Sequence, residues 1–279
     1  MCMKICFVTC VKLGLDCLNV LIKNKIHVHT VITLTDNLSR QKSGRVFLDK
    51  YCEKYNLNLI KCKNINEELL IKKLKRSEYD YVFVIGWSQI CKTEFLKIAK
   101  IATLGIHPTL LPYGRGRAAL PWAILKQLTH TGVTMFKLST EVDDGPIFKQ
   151  IVIRISNQMD AEELYKQVCE CHINLMELFI KSARLNKLQF VAQNHAIATY
   201  WPGRKPSDGL INLSDTVKHV HRLVRATTRP YPGAYLFINN FKYKIWKVKV
   251  TTEAVDRDKF VLKCSDGNLE VTDYEKVTK

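Results

Sequence analysis

From Gly105 to Pro146 the chain reads GIHPTLLPYGRGRAALPWAILKQLTHTGVTMFKLSTEVDDGP, and this stretch limits the folds open to it. An apolar strand end runs into a single histidine, His107. A loop rich in proline and glycine follows, with Pro108, Pro112, Gly114 and Gly116. Ala118 to Leu128 reads as a short amphipathic segment, and Val133 to Leu138 as a second apolar run. That run leads to two carboxylates, Asp143 and Asp144, just before Gly145-Pro146. A histidine and an aspartate at two strand ends are expected to converge at the carboxyl edge of a parallel sheet, where open α/β sheets bind ligands. A carboxylate beside an imidazole favours the protonated ring, which then donates a hydrogen bond or a proton.

The flanking sequence supplies such a sheet. Lys4–Thr9, Val28–Leu34, Asn58–Cys62 and Tyr79–Ile85 are short apolar runs of strand length. Helical patterns separate them: Leu15–Lys23, Val46–Tyr55, and Asn66–Arg76 with Asn66 as the expected cap. Asp36–Gly44 is a polar loop without the glycine fingerprint of dinucleotide sites. Asp160 opens a long helix, Ala161–Leu185, on which His172 is expected to be structural or exposed. Strands alternating with helices predict a parallel sheet covered on both faces. Beyond Gln189 the character changes to turns, a helix Ser214–Arg225 capped by Ser214, a strand-turn-strand region Leu236–Val250 and a β end reaching Thr272. The expected architecture is an α/β, Rossmann-like domain with a mainly parallel sheet over residues 1–198, then a small β-rich domain over 199–279.

Composition removes several function classes. No apolar run approaches membrane-spanning length, and Met1–Leu13 reads as a first strand rather than a leader, so a cytoplasmic protein is expected. Ten cysteines form no Cys-x-x-Cys pair and sit mostly in apolar patterns, as buried free thiols do in a reducing compartment. The histidines lack ligand spacing, so no metal is expected. The formal net charge of +17 invites a polyanion, but the lysines are dispersed among Asn and Ile. Dispersal argues against nucleic acid as the partner.

The 105–146 stretch resembles the folate-dependent formyltransferases, whose pattern is Asn-x-His-Pro-Ser-Leu-Leu-Pro, then Arg-Gly, Trp-Ala-Ile, Gly-Val-Thr and Asp-x-Gly. Here His107-Pro108-Thr109-Leu110-Leu111-Pro112, Arg115-Gly116, Trp122-Ala123-Ile124, Gly132-Val133-Thr134 and Asp143-Asp144-Gly145 match in order and spacing. Gly86-Trp87-Ser88-Gln89-Ile90, and Arg229-Pro230-Tyr231-Pro232-Gly233-Ala234 with Asp208-Gly209-Leu210-Ile211-Asn212 before it, look most like the nucleotide-sugar branch. The resemblance covers nearly the whole chain, most weakly in residues 1–75 and after about residue 250.

It implies transfer of a formyl group from 10-formyltetrahydrofolate to the amine of a nucleotide-linked amino sugar. His107 would be the donor and proton shuttle, and Asp143 would orient it and relay the amine's proton, with Asp144 as a turn residue. The pterin would lie on Gln89, Ile90 and Cys91, and on Leu138, Ser139, Thr140 and Glu141 opposite. Arg115 or Arg117 would face an anionic substrate. Tyr231 would stack on a nucleotide base or close a domain interface. A homodimer is allowed. One departure is plain: the family's asparagine falls on Gly105, which has no side-chain amide, and losing such a donor typically costs ~100- to 1000-fold in turnover. Two rivals stay open: formylation of methionyl-tRNA, favoured by the basic charge, and a degenerate relative kept as a binding module, favoured by Gly105.

Overall fold

Buried apolar runs that alternate with amphipathic helices build a seven-stranded sheet. The computed structural model describes residues 3–39, 44–251 and 259–277. The sheet strands are β1 (Ile5–Val8), β2 (Val28–Leu34), β3 (Asn58–Cys62), β4 (Tyr79–Val84) and β5 (Ala99–His107). After a two-residue strand β6 (Arg115–Gly116) come β7 (His130–Lys137) and β8 (Ile147–Arg154). Their order across the sheet is β3-β2-β1-β4-β5-β7-β8. The first five run parallel, as connections through helices require.

Strand β7 departs from that pattern. It pairs antiparallel with β5, with Leu104 opposite Lys137 and His107 opposite Thr134. The end of β7 therefore lies well below His107, and a parallel-edge convergence of two strand ends does not occur. Asp143 reaches the histidine on a returning loop instead. The sheet is mainly parallel, and its antiparallel β7 is what makes that loop necessary.

Contacts divide the chain into two compact units. The first holds Met1–Gly116, Gly132–Ile153 and Val168–Tyr200; the second holds Arg117–Thr131, Arg154–Gln167 and Trp201–Lys279. The expected division at 198/199 lies close to the last of these crossings. Two earlier segments, 117–131 and 154–167, join the carboxy-terminal unit across the sequence, which a linear reading does not anticipate.

In the first unit, Cys6, Val8, Ile32, Val82 and Val84 of the strands meet Leu70, Leu74, Phe95 and Ile98 in one buried cluster. Phe179 of the long helix Ala161–Arg184 sets its ring edge-on to Tyr81 (5.1 Å) and Phe83 (5.0 Å). Such pairs contribute ~1 kcal/mol each beyond their burial. In the second unit, β9 (Ala234–Ile238), β10 (Phe241–Thr251), β11 (Val261–Cys264) and β12 (Gly267–Val277) form an antiparallel sheet in the order β9-β10-β12-β11. The helix Val217–Thr227 lays Val220, Leu223 and Val224 against Leu236, Ile245 and Leu269 of that sheet.

Several helix starts differ from the sequence reading. The helix expected over Val46–Tyr55 spans Asp49–Lys54, and Asp36–Ser39 forms a helical turn where a loop was expected. Residues 40–43 of that loop lie outside the described residues. The helix expected from Asn66 spans Glu68–Lys75, because the Asn66 side chain is committed elsewhere: its Nδ2 donates to the Ile90 carbonyl (2.8 Å) and its Oδ1 accepts from the Lys92 amide (2.8 Å). The helix expected from Ser214 starts at Val217, with the Thr216 side chain accepting from the His219 amide. The nine described cysteines are free thiols.

Candidate active site

His107 ends β5, nearly buried at 8% exposure. Its Nε2 lies 2.9 Å from the Gly114 carbonyl, which can only accept, so Nε2 carries a proton and donates it. Its Nδ1 lies 3.5 Å from Oδ2 of Asp143. That is an ion-pair contact, longer than an ordinary hydrogen bond. The imidazole is thus fixed on one edge and faces a carboxylate with the other.

Asp143 is held at its side chain and at its backbone. Its Oδ2 accepts the Gly116 amide at 2.8 Å. Its backbone carbonyl accepts from Gln193 Nε2 at 2.9 Å, and the same Nε2 reaches the Gly145 carbonyl at 2.8 Å. Its φ of 52° lies in the left-handed region, which aspartate tolerates better than most residues. The turn closes at Gly145, where a Cβ would stand 1.9 Å from the Lys137 carbonyl oxygen; only glycine lets the loop return so close to β7. Asp144 points away from this group and accepts from the Ser139 hydroxyl. Of the two carboxylates, Asp143 is the one that faces His107.

Sequence reasoning gave Gln193 no role, and no motif marks it. It is buried, and a bridge of Val191 to Ile147 at the start of β8 brings it to the turn. Its Oε1 accepts from Arg115 Nε (3.2 Å) and Nη2 (2.7 Å). Arg115 also meets the Tyr200 hydroxyl at 2.9 Å and His195 Nδ1 at 3.2 Å. At 1% exposure, with its guanidinium spent on these partners, Arg115 cannot serve as the substrate-facing arginine expected of it. Burial converts it to a positioning residue that fixes Gln193, which in turn fixes the Asp143 turn.

The family model described as "Formyl transferase" matches residues 4–179, and that of "Formyl transferase, C-terminal domain" matches 203–279. The chain belongs to the formyl transferase family. A curated relative, the bifunctional polymyxin resistance protein ArnA of Wigglesworthia glossinidia brevipalpis, is 28% identical over 266 residues. That match covers 93% of this chain but only 40% of the relative, so the chain spans about two fifths of its length. Among solved structures, WlaRD, a sugar 3N-formyl transferase crystallised with dTDP and 5-N-formyl-THF, superposes with TM-score 0.73 at 21% identity, covering 100% of this chain and 99% of that one. An N-formyltransferase of Helicobacter canadensis, in complex with folinic acid and dTDP-3-aminofucose, gives 0.71 at 20% identity, covering 99% and 100%. A methionyl-tRNA formyltransferase from Clostridium thermocellum gives 0.65 at 16% identity, covering 99% and 100%. Likeness at these identities is a likeness of fold.

Within this formyl transferase, Gly105 acquires a physical reason. A Cβ there would lie 2.6 Å from Leu138 Cδ2. The leucine side chain fills the room an asparagine would need, so residue 105 supplies no donor and the space is apolar. Two residues beyond His107, the Thr109 hydroxyl is buried with no partner among the described residues.

The other expected folate residues divide by chemistry. The Gln89 side chain is spent on the chain after β3, accepting from the Ile65 amide (2.9 Å) and donating to the Lys63 carbonyl (2.8 Å). Cys91 is core, with its thiol pushed up to about 12 by burial. Ile90 is the outward member of this loop, 61% exposed. Across from it, Thr140 and Glu141 are exposed, and the Ser139 hydroxyl is tied to the Glu141 backbone and to Asp144. The loop at 89–91 therefore presents an apolar side chain and backbone edges, while the Gln89 and Cys91 side chains act as its supports. Arg117 and Tyr231 belong to the second unit; Arg117 is exposed and Tyr231 half-buried.

His172 proves to be buried rather than exposed, with Nδ1 donating to the Val168 carbonyl at 2.8 Å. Burial pushes it from 6.5 down to about 4; the carbonyl bond opposes this, and repulsion from His107 adds to it. The unfolded chain therefore binds this proton between about pH 6.5 and about pH 4 while the folded chain does not. Its contribution to stability is full above the unfolded value and is lost as pH falls through that window. The expected loss is roughly 2 kcal/mol on going from about pH 7.5 to about pH 5. Urea unfolding at the two pH values, in the wild type and in His172→Gln, checks this: the substitution should flatten the difference by that amount, and an unchanged difference would refute it.

Proposed function

We propose that the protein transfers a formyl group from 10-formyltetrahydrofolate to the amine of a nucleotide-linked amino sugar. The observation that carries this reading is the His107–Asp143 pair, 3.5 Å apart at the end of β5 in a formyl transferase chain. The pattern of the Arg229–Ala234 turn and the likeness of fold to sugar N-formyltransferases support the amino-sugar substrate.

When bound, the folate supplies a formyl carbon on nitrogen. The loop at Ile90 and the segment Leu138–Glu141 suit a flat heteroaromatic ring, which needs an apolar contact and backbone hydrogen bonds more than free side-chain charge. The substrate amine attacks as the neutral base, forms the new C–N bond and loses one proton, while the departing folate nitrogen gains one. Asp143 takes the proton from the amine side. His107 turns its Nε2–H from the Gly114 carbonyl toward the formyl oxygen, where negative charge develops, takes up the amine's proton from Asp143 on Nδ1 and gives its Nε2 proton to the leaving nitrogen. With Leu138 in the space beside Gly105, donor capacity falls on His107.

The test is to incubate the protein with 10-formyltetrahydrofolate and a panel of nucleotide-linked amino sugars, detecting the formamide by mass spectrometry. A product on at least one nucleotide sugar is expected. Binding of that substrate should weaken only modestly with salt, because few cations meet one diphosphate. A tRNA enzyme making many phosphate contacts would lose ~1000-fold or more between low and moderate salt. Steeply salt-dependent tRNA binding with no nucleotide-sugar product would overturn the reading.

A further inference from the structure

The second unit contains a cationic cavity that formyl transfer does not use. Lys218, His221, Arg222 and Arg225 lie on the helix Val217–Thr227 at spacings of three, one and three. Those spacings put all four on one helical stripe. The opposite face, Val220, Leu223 and Val224, is committed to the core. A stripe of four basic groups is normally a solvated surface. Here His221, Arg222 and Arg225 are half-buried, and all four line a cavity of about 250 Å³. Its far wall includes Asn157 and Gln158. Gln158, Lys218 and His221 also line an adjoining groove of about 870 Å³, which adds Lys249.

These cations are not neutralised. Among the described residues, none of the four forms a salt bridge. The carboxylate of Asp160 partly offsets Arg225 from a distance, while Arg222 and Arg225 repel one another. Asp266 lines the groove, but one of its oxygens accepts the Val217 amide at 2.7 Å. The guanidinium groups are held in place by backbone carbonyls: Arg222 Nη1 donates to Leu125 (3.3 Å) and Arg225 Nη1 to Met159 (2.7 Å). That leaves other N–H donors on each, and Arg225 Nε is buried without a partner. Burial and Arg225 together push His221 below its ordinary value. Holding several cations in one concavity without anions is unfavourable in the free protein, and a multiply charged anion relieves it.

We infer that this cavity binds the phosphate group of a small ligand, a diphosphate by preference. Two fixed guanidinium groups match phosphate oxygens in geometry, Lys218 adds a mobile charge at the mouth, and Asn157 and Gln158 provide neutral hydrogen bonds. The cavity volume suits one or two phosphate groups, and the groove leaves room for whatever they are attached to.

His221 is a reporter inside the site, so the test does not depend on formyl transfer. Its imidazole is titrated by NMR in the full chain, alone and with inorganic pyrophosphate, thymidine diphosphate or thymidine. Pyrophosphate and thymidine diphosphate should each raise the titration midpoint of His221, and thymidine should not. A larger shift with thymidine diphosphate assigns the site to a nucleotide, and an equal shift assigns it to free phosphate. Lys218→Gln and Arg222→Gln should each weaken pyrophosphate binding at this reporter about tenfold. Arg225 is left unaltered because its bond to the Met159 carbonyl (2.7 Å) is much tighter than that of Arg222 to Leu125 (3.3 Å). No movement of His221 with either phosphate compound would overturn the proposal. So would a shift with thymidine, or undiminished binding in the Lys218→Gln and Arg222→Gln double variant.

Discussion

His107→Asn is expected to lower formyl transfer by ~100-fold or more while folate binding changes little. The imidazole has two edges and the structure uses both. Nε2 is fixed by the Gly114 carbonyl, and Nδ1 faces Asp143. Asparagine keeps an amide donor but is too short to span both partners, and it cannot shuttle a proton. Because Leu138 occupies the space beside Gly105, residue 105 offers no second donor to soften the loss. The expected pattern is a fall in kcat, with the dissociation constant for 5-formyltetrahydrofolate and the circular dichroism spectrum near those of the wild type. Near-normal turnover would remove His107 from the chemistry.

The second large effect belongs to the neighbouring carboxylates, which the structure separates sharply. In Asp143→Asn the amide oxygen still accepts the Gly116 N–H, and the bonds from Gln193 to the backbone are untouched, so the turn should survive. What is lost is one negative charge 3.5 Å from the imidazole and the group that accepts the amine's proton. Turnover should drop by ~100-fold or more, and the acid limb of its pH profile should change shape. Asp144→Asn alters a residue tied to Ser139, so a fall of only a few-fold is expected. Kinetics of the two variants across pH provide the check. A crippled Asp144→Asn beside a mild Asp143→Asn would reverse the assignment of this turn.

The division between what the sequence determined and what the tertiary structure decided falls along the range of the interactions. Alternating strands and helices, the β-rich end and the separate motifs that mark His107 and Asp143 are local patterns, in which each residue's neighbours in sequence carry the signal. The formyl transferase motif added the identity of the partners. Four features needed long-range contacts. The antiparallel course of β7 was invisible because a buried strand has the same composition in either direction. It turned a convergence of strand ends into a returning loop, closed by Gly145 against Lys137. Arg115 read as free to face an anionic substrate because its partners Gln193, His195 and Tyr200 lie about 80 residues away in the chain. The glycine at 105 read as a missing amide, and only packing shows that Leu138 has taken its place. The cation stripe of the second unit was diluted in the sequence by a net charge of +17 spread over the whole chain. Folding concentrated it, by burying one face of the helix Val217–Thr227 and closing a cavity over the other.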